Sequence, residues 1–171
     1  MFTYLTLKNF KSLKNIKLNL KQTKEKIKTF ASIYGENGCG KTNLVTAFDF
    51  LQKSIISKIV NKSLESMPKD IREAKDFLEN NEMFKNLFYM TFINIKKYRM
   101  IDEKEPTEIE YGFSIDGKEG YYYLKFSEKI EEERLYYIVD KKRDFHFDIK
   151  SINDKIEKNL NKKIFIGEKY C

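Results

Sequence analysis

Eight consecutive residues, Gly35-Glu36-Asn37-Gly38-Cys39-Gly40-Lys41-Thr42, have the spacing G-x-x-x-x-G-K-[ST]. Each residue type has a task in holding a phosphate chain. Glycines at 35, 38 and 40 admit backbone angles that a Cβ forbids and let main-chain N–H groups close around phosphate oxygens. A helix beginning near Lys41 adds unpaired N–H groups and the positive end of its dipole. Lys41 has the reach for β- and γ-phosphate oxygens, and the Thr42 hydroxyl suits Mg2+. An ordinary glycine-rich turn has no use for Gly-Lys-Thr at a helix start. The pattern implies a site for a nucleoside triphosphate.

Such a loop must be held between a strand and a helix, and the flanks fit that demand. Ile27 to Tyr34 alternates and then runs apolar (Ile27, Phe30, Ala31, Ile33, Tyr34), which predicts a buried strand. Asn43 to Val60 carries Leu44, Phe48, Leu51, Ile55 and Ile59 at helical spacing. Upstream, Phe2 to Asn9 and Leu13 to Leu20 both alternate and predict a hairpin through the turn at Asn9 to Lys14. Downstream, Asn61 to Asn81 is polar, contains Pro68 and offers a short amphipathic helix over Ile71, Ala74, Phe77 and Leu78. Met83 to Ile101 is dense in aromatics and fits helix and strand equally. From Glu108 the pattern turns to strands. Ile109, Tyr111 and Phe113 lead to an Asp116-Gly117 turn; Tyr121, Tyr123 and Lys125 return, and Arg134 to Val139 and Phe145 to Ile149 follow. That is the pattern of an antiparallel meander.

A chain of 171 residues buries one core, so one domain, or one lobe of a larger domain, is expected. No run is apolar enough to span a membrane, and the first residues lack a signal-peptide layout. Two cysteines, Cys39 and Cys171, make no disulfide framework, and a reducing, cytoplasmic home is the expectation. Cys39 reads as a small residue at a variable loop position. The net charge is +7, almost all the positive charge is lysine, and many lysines lie early, from Lys8 and Lys11 to Lys26 and Lys28. Such a stripe could follow a nucleic-acid backbone, but a solvated lysine face is the better reading. Four arginines (Arg72, Arg99, Arg134, Arg143) are scattered, without the cluster that a phosphoryl-transfer lid requires.

Asn9-Phe10-Lys11-Ser12 after an N-terminal strand, followed by Tyr34 through Leu44, resembles the first lobe of an ABC-type ATPase head. The branch it resembles is that of the chromosome-maintenance (SMC), RecF and OLD-like ATPases, often grouped with bacterial AAA-type ATP-binding proteins. The meander from Ile109 to Leu135 resembles the β-subdomain of that branch. The resemblance implies an α/β P-loop NTPase fold, an ABC-ATPase-like N-terminal lobe with a mixed core sheet around the P-loop helix and an antiparallel β-subdomain. It divides the chain into 1–60 (strands, loop and helix), 61–104 (a helical insertion) and 105–171 (the β-rich part), all one ATP-binding lobe. It implies ATP and Mg2+ as cofactors. By the same resemblance Asn43 follows the Lys-Thr pair as a site residue, and Lys11 and Ser12 lie near the nucleotide.

Departures from the family pattern bear on activity. No signature motif is present, and the nearest match to a Walker B strand, Tyr136-Tyr137-Ile138-Val139-Asp140, is followed by Lys141 where the catalytic Glu should stand. A structural strand is the expectation there, and His146, the one histidine, is expected at an exposed strand position. The catalytic residue is therefore unassigned, and efficient hydrolysis by this chain alone is not expected. The expected partner is a second ATPase lobe or the other half of a nucleotide sandwich, serving a DNA-related or phage-defence machine. A nucleotide-binding regulatory module is the alternative, and a small P-loop phosphotransferase a more distant one. Phe10 or Tyr34 could stack on the base or pack in the core.

Overall fold

The computed structural model describes residues 1–23, 26–65, 94–139, 142–152 and 155–163. The chain divides into two compact units, residues 1–41 with 95–171, and residues 42–94.

The first unit is built on a seven-stranded sheet. Its strands are β1 (Phe2–Phe10), β2 (Leu13–Asn19), β3 (Thr107–Ile115), β4 (Lys118–Phe126), β5 (Ile130–Val139), β6 (Lys142–Ile152) and β7 (Lys155–Leu160). The order is β2-β1-β3-β4-β5-β6-β7, and every neighbouring pair is antiparallel. Alternation sorts the side chains onto two faces. Thr3, Leu5, Leu7 and Asn9 of β1 are buried, and Leu5 and Leu7 stand opposite Tyr111 and Ile109 of β3, also fully buried. Leu124 and Phe126 of β4 continue that core, opposite Ile109 and Thr107.

The opposite face is polar and carries a row of alternating charge. Lys8, Glu108, Lys125, Glu132, Lys150 and Glu157 stand in register across six strands. Lys8 pairs with Glu108 at 3.0 Å, Lys150 with Glu132 at 3.6 Å, and Lys125 reaches Glu131 at 3.7 Å. Exposed pairs of this kind add little stability singly. In sequence, opposite signs at each step specify the register alongside the buried face.

Two turns explain the hairpins. Asp116 and Gly117 both have positive φ (50° and 75°), as a two-residue turn with right-handed strand twist requires. Between β1 and β2 the turn is Lys11-Ser12, with Lys11 at φ 50°; Asn9, two residues earlier, is at φ 52°. The expected hairpin and meander are thus present, with β7 as a further strand. A short 3-10 helix, Ile95–Tyr98, occupies part of the ambiguous aromatic segment. The rest of that segment before residue 94, and the helix expected after Pro68, lie outside the described residues.

The expected buried strand over Ile27 to Tyr34 is not formed. Only Ile27 pairs, in an isolated bridge with Lys21, while Phe30 and Tyr34 are 81% and 89% exposed. Both edges of β1 are taken, by β2 and β3, and beyond β2 the segment makes only the single Lys21–Ile27 bridge. Among the described residues no parallel pair exists, and the expected mixed core sheet is instead an antiparallel one.

In the second unit the loop runs into α1 (Lys41–Glu65), longer than the expected Asn43 to Val60. Among its residues up to Ile55, Ala47, Phe50 and Leu51 are buried, whereas Ile55 is 54% and Val45 64% exposed. Of the residues expected at helical spacing, Leu51 is buried, Leu44 and Phe48 are half-buried and Ile55 is exposed; the surroundings of Ile59 lie outside the description. The helix is apolar on several sides, so periodicity alone does not choose its buried face. Asp49 and Lys53, one turn apart, form an ion pair at 2.7 Å.

Candidate nucleotide site

The phosphate-loop residues of the first unit already close on themselves. The Lys41 ammonium donates to the carbonyl oxygens of Gly35 and Glu36, both at 2.7 Å, and lies 3.7 Å from the Cys39 Sγ. The Cys39 N–H donates to the Glu36 carbonyl at 3.3 Å. Gly38 and Gly40 have φ of 84° and 92°, angles at which a side chain is strained. Residues Gly35 to Cys39 are exposed. A lysine held by two carbonyl oxygens and a sulfur can exchange them for phosphate oxyanions, which make the stronger charge-assisted bonds.

The Lys11-Ser12 turn abuts the loop. A Cβ on Gly40 would come 2.6 Å from Leu13 Cδ2 and 3.3 Å from the Ser12 hydroxyl oxygen. The Ser12 hydroxyl therefore borders Gly40 of the loop. The Lys11 ammonium lies over the Tyr98 ring, 5.8 Å from the centroid. Phe10 is fully buried and stacked on Tyr98 with centroids 5.9 Å apart, so it is a core residue and has no face free for a base. Tyr34, beside Gly35, is exposed and retains its ring faces.

Thr42 and Asn43 open the helix in the second unit. Thr42 is exposed and its carbonyl accepts from the Thr46 hydroxyl at 2.8 Å; Asn43 is half-buried. Among the described residues no group of three or more His, Cys, Asp or Glu side chains could hold a metal. A Mg2+ ion that keeps waters and leans on phosphate oxygens needs only one or two protein oxygens. The loop residues of the first unit thus fit a phosphate chain: a glycine, Gly40, at which a Cβ would meet Leu13, and an ammonium held inside the turn.

One contributor was not legible in the sequence. Tyr98 accepts the Lys11 N–H at its carbonyl (2.9 Å), and the Met100 N–H and Thr107 hydroxyl donate to the Asn9 carbonyl at 3.0 and 2.8 Å. The Asn9 side chain donates to the Pro106 carbonyl at 3.3 Å. Nothing in the periodicity of Met83 to Ile101 signals this clamp.

The Walker B lookalike falls as the sequence suggests for a structural strand. Tyr136 to Val139 belong to β5, between β4 and β6, and Asp140 and Lys141 lie outside the described residues. His146 differs from expectation. It is half-buried, with its ring 4.5 Å from that of Tyr137, and burial holds its pKa below the ordinary 6.5 against an opposing pull from Asp144. It sits where β6 carries one more residue than β5, which tucks the ring inward. Among the described residues no helix is long and apolar enough to cross a membrane.

A glycine loop of this spacing closing on its own lysine, at the start of a helix, defines a P-loop nucleotide-binding domain. Residues 30–164 match the family described as "AAA domain, putative AbiEii toxin, Type IV TA system", and the chain belongs to it. It is accordingly an AAA-type P-loop ATPase domain, a class that binds ATP and usually Mg2+. No curated protein matches the chain.

Proposed function

We propose that the chain binds ATP with Mg2+ through Gly35 to Thr42, as the first lobe of an ABC-type ATPase of the SMC, RecF and OLD-like kind. The observation that carries this is the Lys41 ammonium held at 2.7 Å from two loop carbonyls, inside a turn where a Cβ at Gly35 or Gly40 would clash with Cys39 or Leu13. Thr42 holds the metal, and Ser12 borders the phosphates from the hairpin side. Walker B and signature motifs come from a second lobe, in a further segment or in a partner. The exposed apolar run Phe30, Ile33 and Tyr34 supports that arrangement, because it has the pattern of a buried strand and no strand beside it. The setting is a DNA-related or phage-defence machine; the family's description, which names a putative toxin of a type IV TA system, supports the latter.

A second reading, a nucleotide-binding regulatory module without turnover, is favoured by one observation: the nearest match to a Walker B strand, Tyr136 to Val139, lies in β5 inside the antiparallel meander. Phosphate release separates the two. The lobe reading predicts negligible turnover by the chain alone and a large gain when a second lobe bearing the two motifs is supplied. Nucleotide binding that no such lobe ever converts to turnover favours the regulatory module. Robust turnover by the purified chain alone contradicts both.

A further inference from the structure

Lys11 occupies an unusual position for a surface lysine in a chain rich in carboxylates. Among the described residues it forms no ion pair; its ammonium rests on the face of Tyr98 instead, 5.8 Å from the centroid. Its backbone is fixed on the same residue, through the 2.9 Å bond from its N–H to the Tyr98 carbonyl, and its φ of 50° is one that non-glycine residues adopt only when held there. The Tyr98 ring is in turn stacked on the fully buried Phe10. The next residue, Ser12, lies against Gly40 of the phosphate loop. A cation held by a ring rather than a carboxylate keeps its charge uncompensated, and an ammonium with three donors can keep one side on the ring while the others bond an anion.

We propose that Tyr98 is a positioning residue for the nucleotide site: it anchors the Asn9–Ser12 turn beside Gly40 and holds the Lys11 ammonium ready for phosphate oxygens of the bound triphosphate. The inference rests on the phosphate-loop reading above. Its physical content is preorganisation: a long, flexible side chain already confined loses less entropy when it meets the phosphate. It also joins the nucleotide to segment 95–107, and through Thr107 to the meander, in one hydrogen-bonded path.

A fluorescent ATP analogue with Mg2+, titrated into the chain and its variants, tests this. Lys11→Met, at a partly exposed side chain that leaves the core alone, is expected to weaken binding about fivefold. Tyr98→Leu, which keeps bulk against Phe10 but loses the ring face, is expected to weaken it by a similar factor, and Tyr98→Phe to restore it. Added to Lys11→Met, Tyr98→Leu is expected to cost nothing more. An equal loss from Tyr98→Leu in both backgrounds would mean a purely structural role and overturn the proposal. Wild-type affinity in Lys11→Met overturns it whether or not the Tyr98 variants fold. Binding that needs Lys41 but not Lys11 sinks this inference alone; binding that survives Lys41→Ala sinks the phosphate-loop reading with it.

Discussion

Leu13 stands so close to Gly40 that any Cβ there would come within 2.6 Å of its Cδ2. The first residue of β2 thereby sets the shape of the phosphate loop from the far side of the hairpin turn. Gly38, at φ 84°, has open space around its missing Cβ. The two glycines should therefore respond differently. Gly38→Ala meets only backbone strain, about 1–2 kcal/mol. Gly40→Ala adds a clash with Leu13, for a total of roughly 2–5 kcal/mol in the loop. Nucleotide titration should find at least about tenfold weaker binding in Gly40→Ala than in Gly38→Ala; equal affinities would show that Leu13 does not shape the loop.

Thr107 ties the same turn to the meander. Its side chain is fully buried, and its hydroxyl donates to the Asn9 carbonyl at 2.8 Å. Thr107→Val keeps the shape and removes the donor, which costs about 1 kcal/mol. Thermal unfolding should shift down by roughly 3 °C. An unchanged midpoint would mean that the bond adds nothing to the Asn9 carbonyl's bond from Met100.

His146 predicts how stability responds to mild acid. Its pKa is depressed in the fold by burial beside Tyr137, so between the unfolded value of 6.5 and the lower folded value the unfolded chain binds the extra proton. Its contribution is intact above pH 6.5 and is lost as the pH falls below it. As the chain has one histidine, the effect is assignable. Urea midpoints at pH 7.5 and 5.5 should fall further for the wild type than for His146→Gln, and parallel falls would contradict the assignment.

How far the sequence disclosed this structure depended on how local the determinants were. The loop and its helix start are written in eight adjacent residues, and the Asp116-Gly117 turn in two; both are present with the angles their residue types imply. The hairpins followed from alternation because one face of each strand is buried. Ile27 to Tyr34 has the same kind of pattern without the outcome, because a strand also needs a neighbour to pair along its length, and this segment pairs only at the Lys21–Ile27 bridge. The helix face was not legible because Leu44, Val45, Ala47, Phe48, Phe50 and Leu51 cover too many directions for periodicity to choose. Tyr98 escaped because its role is set by a backbone carbonyl and a ring face, neither of which has a sequence pattern. β7 escaped because its residues are almost all exposed and carry no buried alternation.

The central claim is that Lys41 holds a triphosphate in this loop, and calorimetric titration of ATP with Mg2+ into the wild type and Lys41→Ala tests it directly. Loss of an ammonium that makes charge-assisted bonds to phosphate should cost about 3 kcal/mol, a weakening of roughly 100-fold or more. Saturable wild-type binding that disappears in Lys41→Ala is the predicted result. Equal affinity in the two proteins would contradict it, and the loop would then be a glycine turn with no nucleotide to hold.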